Sequence, residues 1–307
     1  MKVEIQQQFE QNGYIGDSNI YMSLFLAQKL EKPLLIEGPP GVGKTEIAKI
    51  LAKIHSCELI RLQCYEGLDS HSALYDWNYQ KQLLYLKANE NENLDTKERH
   101  IFSEKFLLKR PLLEAITSSK KAVLLIDEVD RADEEFESFL LEILSDWQIS
   151  VPEIGTIAAK NIPYTILTSN RKRPLSQALR RRCLYLWIDY PSFEKELTIL
   201  QAHVPQIDQQ LSAEICGFVH LARNLTLNKK PGIAETIDWA LSLALLNAAH
   251  LKIDTIEILL GVVFKNERDI KQIKTLLPKF VEEIAKTREH KEPLQRLKNL
   301  ITIGVYE

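Results

Sequence analysis

Five short apolar runs punctuate the first two thirds of the chain, at residues 33–37, 58–62, 122–126, 164–168 and 184–188. Their hydrophobicity is continuous rather than alternating, as a parallel sheet covered on both faces requires, and the stretches between them are long enough for crossover helices. Two of those stretches carry a helical period: Ile47, Ile50, Leu51 and Ile54 share one face, and Phe136, Phe139, Leu140, Ile143, Leu144 and Trp147 share another. After Pro191 the pattern turns to helices alone, with Leu211, Ile215, Phe218, Ala222 and Leu225 on one stripe and Ile237, Leu241, Leu245 and Ala248 on a second. The patterning therefore predicts an α/β domain over residues 1–190, built on a parallel five-stranded sheet with helices on both faces, and a smaller all-α domain over residues 191–307. The polar stretch 87–99, KANENENLDTKER, is expected to be a mobile surface loop.

Composition narrows the picture without naming a chemistry. A chain of 307 residues that is 45% hydrophobic can bury a large core. Its formal net charge of -3 gives no global electrostatic reason to bind nucleic acid or an anionic membrane, so any basic surface must be local. Cys57, Cys64, Cys183 and Cys216 lie far apart, without a CxxC pair or zinc-ligand spacing, and read as reduced thiols. Residues 1–12 are polar, and no run approaches the roughly 18 apolar residues that a membrane span needs. The expectation is a soluble cytoplasmic protein.

The chemistry begins at Gly38-Pro39-Pro40-Gly41-Val42-Gly43-Lys44-Thr45, between the first apolar run and the first helical pattern. This is the context a phosphate-binding loop needs: glycines let successive N–H groups turn toward a polyphosphate, and the positive end of the next helix adds attraction. Lys44 is placed to reach the β- and γ-phosphates of a nucleotide and Thr45 to ligate magnesium. The third run ends in Asp127-Glu128. The first acid suits magnesium or its waters; the second suits polarising the water that attacks the γ-phosphate. At the end of the fourth run, within residues 168–170, Asn170 is the best candidate to hold that water, provided the strand lies between the first and third. Arg171, Lys172, Arg173, Arg180, Arg181 and Arg182 form a basic cluster with three readings: a solvated face, a nucleic-acid contact, or an arginine completing a neighbouring subunit's site. No aromatic residue is interleaved among them, which makes nucleic acid the weakest of the three.

Longer stretches carry a resemblance to the MoxR family of AAA+ ATPases, in the branch encoded beside von Willebrand factor A domain proteins that includes CoxD-like maturation ATPases. They are EGPPGVGKTEIAK (37–49), RLQCYEGLD (61–69), ALYDWNYQKQLL (73–84), RPLLEAI (110–116), LIDEVDRADEEFESFLLEIL (125–144) and TSNRKRPLSQALRRRCLYLWIDYP (168–191). The resemblance implies a P-loop AAA+ fold with residues 1–190 as nucleotide-binding domain and 191–307 as helical lid. It implies ATP and Mg2+ as cofactors, nucleotide contacts from Gly38, Pro39, Pro40, Gly41, Val42, Gly43, Lys44, Thr45 and Glu46, and magnesium held through Thr45 and Asp127. Catalytic roles fall to Glu128, to Asn170 as sensor 1, and to Arg182 as arginine finger, with Arg181 its rival.

The same resemblance implies a β-hairpin around 148–157 and an insert within 65–84, both on the pore face of a hexameric homo-oligomer, and a von Willebrand A domain partner. One departure stands out. Where related proteins carry the sensor 2 arginine of a Pro-Ser-x-Arg pattern, residues 231–235 read Pro-Gly-Ile-Ala-Glu, with Ala234 in the arginine's place. The leading expectation is a ring ATPase that remodels or matures a client protein or metalloenzyme complex. The alternatives are a nucleotide-gated assembly scaffold with very slow hydrolysis and, on the basic cluster alone, a nucleic-acid remodeller. The client, and the choice of ATP over GTP by contacts near Tyr14 and Ile15, are not encoded in any motif.

Overall fold

The structure, a computed structural model, describes residues 2–89, 93–288 and 292–303. Among them are strands β1 (Leu34–Glu37), β2 (Leu59–Gln63), β3 (Tyr75–Trp77), β4 (Leu107–Lys109), β5 (Val123–Asp127), β6 (Gln148–Val151), β7 (Gly155–Ala158), β8 (Tyr164–Ser169) and β9 (Leu184–Trp187). The five apolar runs of the sequence are β1, β2, β5, β8 and β9, which form one parallel sheet in the order β2-β5-β8-β1-β9. In its register Leu34 pairs with Ile166 and Leu184, and Val123 pairs with Leu59 and Tyr164. β1 and β5 are buried along their whole length. Edge strand β2 alternates, with Ile60 and Leu62 inside and Arg61 and Gln63 outside.

Helix Lys44–Ile54 buries Ile47, Ile50 and Leu51, and helix Glu134–Asp146 buries Phe136, Leu140, Ile143 and Leu144. The second helix starts where the Asp133 side chain accepts the Phe136 N–H at 2.9 Å. It stops where Trp147 turns left-handed at φ 51°. Trp147 thus leaves the expected helix while its ring stays buried, and Phe139 is only partly covered.

Two small antiparallel pairs complete the strands. The pair β6–β7 is a hairpin at the position the resemblance implied. β3 and β4 enclose helices Tyr79–Ala88 and Leu94–Ile101, so this insert reaches Lys109, well past residue 84. The expected loop over 87–99 is corrected too. Residues 90–92 lie outside the described residues, but Leu94–Ile101 is helical. Tertiary contacts supply what its polar composition lacks: the Gln82 amide donates to the Ile101 carbonyl at 2.7 Å, and His100 stacks on Tyr85 at 5.4 Å.

By internal contact the chain divides into two compact units. The first holds the residues before Gly13, Gly16–Gly38 and Lys44–Ile188; the second holds Gly13–Ile15, Pro39–Gly43 and the residues from Asp189 on. The second unit is helical, over Phe193–His203, Gln209–Arg223, Ile233–Leu245, Ile253–Val263, Glu267–Arg288 and Pro293–Ile303. Its core centres on Phe218, whose ring lies 5.1 Å from that of Trp239 and 5.6 Å from that of Phe280. The stripe expected from Ile237, Leu241, Leu245 and Ala248 holds only in part: Ile237 and Ala248 pack partly buried against the core, while the centre of the buried face lies elsewhere. Thr236, Trp239, Ala240 and Leu243 face inward, whereas Leu241 is 39% and Leu245 84% exposed. Both faces of this helix carry aliphatic residues, and the larger apolar area of Trp239 decides which is buried. Leu225 is buried but falls beyond the end of its helix.

Glu196 lies wholly inside this core, where it meets the Arg223 guanidinium, the Thr236 hydroxyl at 2.8 Å and His220 Nε2 at 2.8 Å. Burial alone would raise its pKa, but the His220 and Arg223 hydrogen bonds and charges outweigh burial and hold the carboxyl below its usual value. A depressed carboxylate contributes stability that is present above the unfolded-chain pKa and disappears as pH falls through the folded one. Urea unfolding between about pH 6 and about pH 3, a window that brackets the ordinary glutamate range, should show stability falling toward acid. The fall should be smaller in Glu196→Gln; equal slopes for the two proteins would remove Glu196 from this role.

Candidate nucleotide and metal site

The site is built where β1, β5 and β8 end side by side. Gly38 follows β1 directly, and a Cβ there would come within 1.9 Å of the Ile188 carbonyl oxygen, so only glycine fits. Within the second unit, which includes residues 39–43, Gly41 at φ +78° packs backbone to backbone against Gly232: a Cβ on Gly232 would lie 2.7 Å from the Gly41 Cα. The Ile233 N–H donates to the Gly41 carbonyl at 2.9 Å, so the start of helix Ile233–Leu245 is tied to the middle of the glycine-rich turn.

Lys44 opens the next helix and is buried, with its Nζ donating to the Gly38 carbonyl at 2.8 Å. Burial pushes its pKa down to about 8, against the opposing pull of Asp130, Asp127 and Glu128. Thr45 donates its hydroxyl to Asp127 Oδ1 at 3.1 Å. Asp127 is buried, and its carboxylate also accepts from the Thr168 hydroxyl and the Arg61 guanidinium. Thr45 and Asp127 therefore present hard oxygen donors side by side, the kind that suits magnesium. Among the described residues no group of three His, Cys, Asp or Glu could hold a metal ion.

Glu128 follows β5 in the left-handed region, at φ 54° and ψ 48°, which turns it away from Asp127. Its Oε1 accepts from the Asn170 amide at 3.2 Å, and its Oε2 accepts from the Gln63 amide at 3.3 Å and meets the Arg131 guanidinium. β8 does lie between β1 and β5, and its end is held by Asp130, whose two oxygens accept the Asn170 N–H at 3.1 Å and the Lys172 N–H at 2.8 Å. The fold thus brings together Lys44, Thr45, Asp127, Glu128 and Asn170 from residues as much as 126 positions apart in sequence.

Two expected site residues stand outside this cluster. Glu46 points to solvent and pairs with Lys49 at 2.9 Å. Arg182 ends the short helix Gln177–Arg182, where its Nε donates to Ser145 Oγ at 2.8 Å, and the neighbouring Arg181 is exposed with no hydrogen-bond or ion-pair partner among the described residues. Most of the basic cluster is engaged inside its own unit. Arg180 donates to both Glu37 oxygens at 2.8 and 2.9 Å, Arg173 donates to the Ala132 carbonyl at 2.7 Å, and Arg171 lies over the Trp187 ring at 5.5 Å.

Sequence reasoning passed over Arg61, Gln63, Asp130 and Glu37. The signal for the first two was present: polar residues two apart in an otherwise apolar strand must share a face. Nothing local marked Glu37 or Asp130, whose partners lie about 40 to 140 residues away.

Comparison with known proteins agrees with the architecture. Residues 33–183 match the family model described as AAA domain (dynein-related subfamily). An uncharacterized protein of Staphylococcus epidermidis is 23% identical over 218 residues, covering 69% of this chain and 76% of its own. Another, from Staphylococcus haemolyticus, is 24% identical over 232 residues, covering 73% and 80%. Among solved structures, two RuvB variants of Thermotoga maritima are similar in fold at a TM-score of 0.50, with 19% and 20% identity, each over 87% of this chain and 77% of the RuvB chain. No helix among the described residues is long and apolar enough to cross a membrane. The chain has the P-loop AAA+ fold, and its residues 33–183 match the model of the AAA domain (dynein-related subfamily).

Proposed function

We propose that this chain hydrolyses ATP with magnesium, as a MoxR-like AAA+ ATPase whose oligomeric ring remodels or matures a client protein or metalloenzyme complex. The observation that carries the reading is the division of labour at the end of β5: Asp127 turns to the Thr45 hydroxyl while Glu128 turns to the Asn170 amide. In this scheme residues 1–190 bind nucleotide and residues 191–307 act as the lid. Gly38, Pro39, Pro40, Gly41, Val42 and Gly43 offer backbone N–H groups to the phosphates, and Lys44 gives up the Gly38 carbonyl to neutralise them. Thr45 and Asp127 would hold magnesium directly or through its waters, and the bound ion would supply positive charge against the phosphates. Glu128 takes the proton of the attacking water, Asn170 keeps that carboxylate and the water aligned, and Arg182 serves the site of a neighbouring copy. Glu46 is the member of the set with least support, because it faces solvent.

The MoxR assignment, the hexamer and the von Willebrand A domain partner rest on the six sequence stretches quoted above. The cytoplasmic location rests on the wide spread of the four cysteines, none of them in a CxxC pair. Lys44→Ala tests the nucleotide reading: calorimetry should show affinity for ATP lost, and unchanged affinity would remove Lys44 from its assigned place.

A second reading, a nucleotide-gated scaffold with very slow turnover, is favoured by one observation. Ala234 sits exposed in the first turn of helix Ile233–Leu245, and nearby Lys229 is paired with Glu235 at 3.5 Å. Steady-state turnover at saturating ATP separates the two, since a rate above about one per minute exceeds what unassisted P-loop proteins reach.

A further inference from the structure

The guanidinium of Arg61 is used by none of the roles above, yet it touches the carboxylate on which they converge. Its Nε donates to Asp127 Oδ2 at 3.1 Å and its Nη2 donates to the same oxygen. Asp127 Oδ1 is left to the hydroxyls of Thr45 and Thr168. The two carboxylate oxygens are therefore differentiated, one facing hydroxyls that can stay beside a metal and one facing a full positive charge. Arg61 stands on β2, the edge of the sheet, and its side chain is 50% exposed where Asp127 is 5%. It can swing into water without disturbing the core, whereas Asp127 has nowhere to go.

We propose that Arg61 competes with magnesium for Asp127 and thereby sets how tightly the site takes its metal; this rests on the reading of Asp127 as the metal's carboxylate. A cation already bonded to Asp127 neutralises the negative charge that would attract a second, more highly charged one. Taking the metal then requires Arg61 to give up Oδ2 or to share Asp127 with an ion that repels it. The same guanidinium also donates from Nη2 to the Gln63 side-chain oxygen, and the Gln63 amide reaches Glu128 Oε2 at 3.3 Å. Release of Arg61 from Asp127 is thus felt by the residue placed to activate water, through Gln63. A purely structural Arg61, one that only orients Asp127, makes the opposite prediction: its removal should loosen the carboxylate and weaken the metal.

The test is Mn2+ binding to the full chain in the presence of ADP, read by the loss of free-ion paramagnetic resonance signal, for the wild type, Arg61→Gln and Arg61→Lys. Competition predicts that Arg61→Gln takes Mn2+ about 1.5- to fivefold more tightly, the scale of a part-exposed ion pair. Arg61→Lys should lie between it and the wild type, because a single ammonium loses the forked donor geometry but keeps the charge. ADP affinity measured in chelator should be the same for all three proteins. Equal or weaker Mn2+ binding by Arg61→Gln overturns the inference. If Arg61→Gln does not fold, Arg61→Lys carries the test, and Mn2+ affinity no higher than wild type overturns it equally. Failure of the wild-type chain to bind ADP would instead overturn the nucleotide-site reading itself, so the two failures are told apart.

Discussion

Glu128→Gln is expected to keep nucleotide affinity and to lose ATP turnover by about 10²–10⁴-fold, the range for removing a positioned general base. The substitution preserves shape: a glutamine oxygen can still accept from the Asn170 amide, and the left-handed backbone at this position is unchanged. What it removes is the capacity to take a proton. Asp127, Thr45 and Lys44 are untouched, so binding measured by calorimetry should stay at the wild-type value while phosphate release collapses. Wild-type turnover in Glu128→Gln would move water activation to another residue, and Asp130 would not be a ready substitute. Both of its oxygens are already committed to the N–H groups of Asn170 and Lys172.

Arg182→Ala should be as damaging, by about three to five decades if this arginine is supplied in trans. The reason lies in its placement. It does not join Lys44, Thr45, Asp127, Glu128 and Asn170 in its own chain but ends a helix elsewhere, tethered to Ser145. A shared site makes a distinctive forecast for mixtures. Arg182→Ala and Glu128→Gln copies, each inactive alone, should regain part of the turnover when assembled together, because some interfaces pair an intact arginine with an intact glutamate. Persistent inactivity across assembled mixtures would falsify the shared site. Arg181→Ala is the necessary comparison: Arg181 is exposed with no hydrogen-bond or ion-pair partner among the described residues, and if it is the true finger the loss and the rescue will follow it instead.

Much of the α/β half was legible in the sequence because its determinants are local and steep. A buried parallel strand is written as an unbroken apolar run, and a phosphate loop is written as glycines between a strand and a helix, so β1, β5 and the residues at their ends were readable. The same logic failed where two answers had similar local merit. Helix Ile233–Leu245 offers aliphatic residues on opposite faces, and only the docking of Trp239 against Phe218 decides between them. Helix Leu94–Ile101 has the composition of a loop, and its order comes from Gln82 and Tyr85 on a preceding helix. Arg61, Gln63, Asp130 and Glu37 were missed for a related reason: each is defined by a partner distant in sequence, which neither periodicity nor a short motif encodes.

Glu37 gives the arrangement a consequence of its own. It is the last residue of the strand that delivers the glycine-rich turn, and it is 1% exposed. It grips Arg180 with both oxygens and accepts the Tyr185 hydroxyl at 3.1 Å. Arg180 and Arg182 share one short helix. Within a single copy, the root of the turn and the base of the outward-pointing arginine are therefore anchored to one dry carboxylate, so whatever displaces one end is transmitted to the other.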